Sequence, residues 1–197
     1  MESWGPSEID KDSHLVEADL SGGVVKIEVG VSKTPFDVHL ELLCTCSPYF
    51  ESLFQHRYDL VLADEVISFP TEDPQVFAQL ILWMYRGTGC IKLLESKKLD
   101  FLTRLWILAG DFKMAELQNS VMVVCKRKTE TLPMGFMGVD TINYIYSNTL
   151  AQSPMRRLAV DIWVRRSSTE RFEKRQENFR EISLKISASN SLRGGNR

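Results

Sequence analysis

Between Pro35 and Phe50 the chain changes its hydrophobic period without a break. Phe36, Val38 and Leu40 alternate with polar neighbours, the period of two that marks a half-buried strand. From His39 onward Leu42, Leu43 and Cys46 recur three and four residues apart, as on one face of a helix. Ser47-Pro48 then supplies an N-cap and an N1 proline ahead of Tyr49, Phe50, Leu53 and Phe54, so a second short helix is expected. A strand that turns directly into two short helices is an unusual compact unit, and the rest of the chain has to be built around it.

The flanks supply its partners. In Val24–Gly30, Val25, Ile27 and Val29 alternate with Lys26 and Glu28, which predicts a strand with one wet face. Residues 31–35 are short enough for a hairpin into Phe36–His39, so these two strands pair antiparallel. Val66–Pro70 reads as a third strand, ended by its proline. Asp73 as cap, Pro74 at N1 and Gly87 at C′ bracket a helix whose Val76, Phe77, Leu80, Ile81, Trp83 and Met84 share helical spacing. Further helices are expected at Lys98–Ala109, ended by Gly110-Asp111, and at Ala115–Lys126, as a short-looped hairpin. The glycines and proline of Thr129–Gly138 mark a linker. Beyond it lie helices at Asp140–Asn148 and at Pro154–Arg166, the latter capped by Ser153. Ser167–Ser187 reads as a loosely docked amphipathic helix through Phe172, Phe179, Ile182 and Ile186.

The organisation that follows is a disordered arm at 1–22, a domain at 23–126, a linker at 127–139, a helical extension at 140–187 and a disordered tail at 188–197. The fold class is α+β: a small three-stranded mixed sheet packed against a cluster of short helices, with helices appended at the C-terminus.

The run Phe36-x-Val38-His39-x-x-Leu42-Leu43-Cys44-x-x-Ser47-Pro48-Tyr49-Phe50 resembles the BTB/POZ domain, in particular the versions found in fungal proteins. Asp73-Pro74-x-x-Phe77 with Leu82-x-Met84-Tyr85-x-Gly87 is similar to that family's third helix. Leu105-x-x-Leu108-Ala109-Gly110-Asp111-Phe112 with Leu117-Gln118-Asn119 is similar to its helix hairpin. The resemblance implies structural roles for Phe36, Val38, His39, Leu42, Leu43, Ser47, Tyr49 and Phe50. It also implies a protein–protein interaction module that forms homo- or hetero-oligomers, serving in many members as a cullin ubiquitin-ligase adaptor or a co-repressor dock. Two departures narrow that range. Val24 and Leu40 stand where dimeric transcriptional members carry an aspartate and a basic residue, which weakens the co-repressor role. Tyr58-Asp59-Leu60 keeps the apolar residue of the adaptors' apolar-x-Glu triplet but lacks its glutamate. The expected partner interface is the apolar patch Tyr58, Leu60, Val61 and Leu62 with Phe54 beside it.

Other chemistries find little footing. A net charge of −2 gives no global electrostatic case for nucleic acid or a membrane, and no apolar run approaches the ~20 residues of a membrane span. Cys44, Cys46, Cys90 and Cys125 lack metal-ligand spacing and are expected as reduced core thiols; no metal or cofactor is expected. His39 beside Cys44 and Cys46 invites a Cys–His nucleophile, yet its place at a strand-to-helix corner suits the satisfaction of local polar groups better. Asp64, Glu65, Glu72 and Asp73 straddle a strand, so nothing fixes a general acid–base pair, and no enzyme is expected. An alternative reading is a nuclear regulatory protein whose Arg156-Arg157, Arg165-Arg166 and Lys174-Arg175 contact nucleic acid or an acidic partner. Interleaved Glu170, Glu173, Glu177 and Glu181 favour a solvated helix face instead. The chain lacks an apolar leader and an N-x-Ser/Thr acceptor, so a cytoplasmic or nuclear location is expected.

Overall fold

The computed structural model describes residues 23–56, 66–131 and 137–166, together with Leu184. Strand β1 (Val24–Val29) lies at the centre of a three-stranded sheet of order β2-β1-β3. It pairs antiparallel with β2 (Thr34–His39) and parallel with β3 (Val66–Phe69), so the sheet is mixed. The alternation seen in sequence sets the faces. Val25, Ile27, Val29 and Val38 point into the core, whereas Val24, Lys26 and Asp37 face outward.

Helix α1 (Leu40–Cys46) starts immediately after β2, and α2 (Pro48–His56) follows after Ser47 alone. Leu40, expected as the last residue of the strand alternation, instead heads α1 and is buried there with Leu42 and Leu43. Helix α3 (Pro74–Arg86) has the expected signals: the Asp73 carboxylate accepts from the amides of Gln75 and Val76, and Gly87 caps the end at φ 50°. A 3₁₀ turn (Gly87–Cys90) and a six-residue helix α4 (Ile91–Ser96) follow; neither was foreseen from the sequence.

Helix α5 (Leu99–Asp111) does not stop at Ala109 but continues through Gly110-Asp111. Gly110 serves as a close-approach site here: a Cβ on it would fall 2.5 Å from the Gln118 side-chain nitrogen. That amide crosses above it to donate to the Trp106 carbonyl at 3.1 Å. The chain then reverses at Lys113 (φ 58°) into α6 (Ala115–Thr131), which runs five residues past Lys126 into the stretch expected as linker. Helices α7 (Val139–Asn148) and α8 (Pro154–Arg166) complete the described body. Ser153 caps α8 as expected, accepting from the Met155 amide at 3.2 Å. Among the described residues no helix is long and apolar enough to cross a membrane.

The core sits between the inner face of the sheet and α1, α2, α3 and α5. Its centre is a knot of rings. Phe50 stacks on Phe112 at 5.0 Å between centroids, Phe69 meets Phe112 edge-on at 5.2 Å, and Phe69 and Phe77 lie tilted by 32° at 5.8 Å. Tyr49 covers the cluster, edge-on to Phe112 at 5.1 Å. Each such pair adds about 0.5–1.5 kcal/mol beyond the area it buries. Ile142, Ile145, Met155, Leu158 and Ile162 extend the same core through α7 and α8.

Candidate protein-interaction surface

Residues of the Phe36–Phe50 unit hold the fold together from within. Val38, Leu42, Leu43, Ser47 and Phe50 are buried, and Phe36 and Tyr49 are half-buried against the core. Ser47 ends α1, its amide donating to the Leu43 carbonyl at 3.0 Å, and begins α2, its Oγ accepting from the Phe50 amide at 3.4 Å. The same hydroxyl donates to the Phe112 carbonyl at 2.7 Å, tying the unit to the end of α5. His39 is engaged locally. Its Nδ1 lies 2.7 Å from the Tyr85 hydroxyl, and its backbone N–H donates to that oxygen at 3.4 Å.

Of the residues expected to face a partner, Tyr58, Leu60, Val61 and Leu62 lie outside the described residues. Phe54 is corrected by the structure: it is only 3% exposed and stacks on Phe50 at 6.3 Å, 18° from parallel. It is a core residue, because a ring four residues beyond Phe50 falls on the same buried side of α2.

The sheet has two outer edges of different character. Leu40 N donates to Gly23 O, which makes Val25–Val38 and Ile27–Phe36 the hydrogen-bonded pairs. The backbone groups of Pro35, Asp37 and His39 therefore point away from β1. Pro35 has no N–H to offer, and the His39 N–H meets Tyr85, so the edge of β2 is blunted against strand addition. On the other side Gly30 N donates to Phe69 O, which turns the backbone groups of Val66 and Ser68 outward along β3. That edge is short, at four residues.

The titratable groups show what the surface can do chemically. Burial raises Cys46 to about 11 and Cys125 to about 12, with nearby Glu116 adding to the former and Lys128 opposing the latter. Burial, then Glu51 and Glu41, also raises Cys44, and burial raises Cys90 against the pull of Arg86. All four are free thiols held protonated at neutral pH. Glu72 and Asp111 are likewise raised, mainly by burial, and Asp111 adds to the rise at Glu72. Among the described residues no group of three or more His, Cys, Asp or Glu side chains is placed to hold a metal.

The extension is fastened by polar contacts that the sequence did not announce. Arg104 lies 4.7 Å over the Tyr144 ring and bonds Asp100 at 3.2 Å, while Asp100 also accepts from the Thr141 hydroxyl at 3.1 Å. Arg156, 8% exposed, donates to the carbonyls of Tyr146 and Thr149 and to Thr149 Oγ1. A buried arginine within a basic pair is not distinguishable from its neighbour Arg157 by sequence alone.

No curated protein matches the chain. Fifty-six chains of known structure match, among them the BTB domain of zebrafish PATZ1, 21% identical, covering 52% of this chain and 75% of that one with a TM-score of 0.38. A family model described as "BTB/POZ domain" matches residues 23–128, the stretch that carries the sheet, α1 to α5 and most of α6. More than half of the chain lies within that match, and the chain belongs to the BTB/POZ domain family.

Proposed function

We propose that the chain works as an assembly module that self-associates and binds protein through the segment that lies between α2 and β3 in sequence, with capture of a cullin scaffold as its adaptor activity. The observation that carries the reading is the family match over residues 23–128, since BTB/POZ domains are in general protein–protein interaction and oligomerisation modules. Two features support the choice of surface. In sequence, Tyr58, Leu60, Val61 and Leu62 fall between the buried Phe54 and β3. The β2 edge, by contrast, is blunted by Pro35 and Tyr85, which directs association away from it.

Light scattering behind size-exclusion chromatography tests self-association: a dimer or larger species is expected, and a strict monomer at high micromolar concentration overturns it. Cullin pull-down from cells tests the adaptor branch, with Tyr58→Ala and Leu60→Ala expected to abolish capture while leaving the melting temperature unchanged. Capture that survives both substitutions removes that segment from the reading, and absence of any cullin removes the adaptor branch.

A further inference from the structure

We propose that a second copy of this chain docks its acidic end onto the basic end of the α5–α6 hairpin, so that copies join head to tail. The contact goes beyond the self-association proposed above, because it joins two different surfaces and uses no residue of the segment between α2 and β3.

The hairpin sorts its described charges by end. Gln118 donates to the Trp106 carbonyl, and this antiparallel register brings Lys98, the cap residue of α5, level with Lys126 on α6. The Glu95–Arg127 ion pair lays α4 against the same end, and Lys92 stands one turn before Glu95 on that helix. Lys128 joins them, and Lys97 lies over the Phe101 ring. Glu95 is held by Arg127 and Asp100 by Arg104, so Glu130 and Asp140 are left to offset only part of the basic charge. At the other end, where the chain reverses at Lys113, Asp111 closes α5 and Glu116 opens α6. Asp111 is near enough to Glu72 to repel its charge. The Ser47 bond to the Phe112 carbonyl brings the first turn of α2, with Glu51, to this end as well. Glu51, Asp111 and Glu116 are exposed, and Lys113 offsets one of these charges.

Distance keeps the two ends from neutralising each other within one molecule. At 1.5 Å per residue, α5 separates them by about 18 Å, more than twice the roughly 8 Å over which salt screens charge at physiological ionic strength. Between molecules the same surfaces can meet directly, positive against negative. Val123, 53% exposed and one turn before Arg127 on the same side of α6, adds an apolar contact at the basic end. Because the two surfaces differ, the contact is heterologous, and each bound copy leaves a free end for the next.

Sedimentation velocity on the full chain at about 50 mM and about 500 mM NaCl tests the contact. The mean mass should climb with concentration at low salt, and the dissociation constant of that step should rise at least about tenfold at high salt. Lys98→Glu with Lys126→Glu should abolish the salt-sensitive step, as should Glu51→Lys with Glu116→Lys. An equimolar mixture of the two double variants should restore it, since one then carries acid and the other base at both ends. Circular dichroism showing native helix content in each variant separates lost docking from lost folding. A mass equal at both salt concentrations overturns the contact, while a dimer that persists at high salt leaves the self-association proposed above standing. Assembly unchanged in both double variants overturns it too. So does capture of a polyglutamate peptide by a chain that shows no salt-sensitive assembly, because the basic end would then serve a foreign acidic partner.

Discussion

The Ser47 hydroxyl donates to the Phe112 carbonyl at 2.7 Å, across 65 residues of sequence, at a point where the serine is wholly buried. One residue thus ends α1 through its amide, and its side chain starts α2 and fastens both to the end of α5, beside the ring cluster of Phe50, Phe69 and Phe112. Ser47→Ala removes a buried donor and a cap acceptor together and leaves two backbone groups short of a partner. The expected loss is about 1.5–3 kcal/mol. Urea unfolding checks it: the midpoint should fall with the slope unchanged, and a midpoint within error of wild type would remove Ser47 from its joining role.

Tyr85 and His39 make a second long-range tie, from the end of α3 to the last residue of β2. Tyr85→Phe keeps the ring and its edge contact with the imidazole at 5.9 Å but removes the oxygen that two groups of His39 use. A cost of about 1 kcal/mol is expected. A double-mutant cycle with His39→Ala separates the shared bond from packing: the two losses should fall short of additivity by about 0.5 kcal/mol or more. Strict additivity would mean the pair is only adjacent.

How much of this was legible beforehand depends on whether the signal was local. Asp73, Pro74 and Gly87 act within one turn of their own helix, so the ends of α3 could be read from the chain. The strand alternation and the Ser47-Pro48 junction are local in the same way. Helix α4 was not legible, because its six residues bury only Leu94 and follow a Gly-Thr-Gly run that reads as a stop. The last turn of α6 carries no apolar spacing; its extension beyond Lys126 coincides with the Arg127–Glu95 ion pair to α4. Phe54 was misplaced because the apolar run after it suggested a surface patch, although its spacing of four from Phe50 already pointed inward. The ties Ser47–Phe112 and His39–Tyr85 join residues 65 and 46 apart, which no local periodicity encodes.

Stability should fall at alkaline pH. Burial lifts Cys125 from 9.0 to about 12 and Cys46 to about 11 in the folded chain. A thiol whose folded pKa is raised holds its proton in the native state after the unfolded chain has lost it. Its contribution is therefore full below pH about 9 and is lost as pH rises through the folded values. Between pH about 9 and 11 the two thiols contribute alike, each with a slope approaching about 1.4 kcal/mol per pH unit, and above that Cys125 continues the loss to about 12. Urea midpoints taken from pH 8 upward should decline, and Cys125→Ala should remove about half of that decline up to pH 11 while lowering stability at pH 8. A midpoint that stays level to pH 11 in the wild-type chain would contradict the burial of this thiol.

Arg156 is expected to be the most costly single charge to remove. Its guanidinium lies 4.6 Å over the Tyr146 ring and donates to the carbonyls of Tyr146 and Thr149, the last acceptors of α7, where a positive charge also complements the helix dipole. A planar fork reaches these acceptors together; an ammonium on a flexible stem does not. Arg156→Ala should therefore cost about 2–4 kcal/mol and Arg156→Lys more than half of that. Arg157, adjacent in sequence but exposed on the far side of α8, should cost no more than about 0.5 kcal/mol as Arg157→Ala. Hydrogen exchange locates the effect: in Arg156→Ala the amides of α7 and α8 should open before those of β1 and α3. Equal losses for the two arginines would show that the α7–α8 turn is held by its apolar contacts alone.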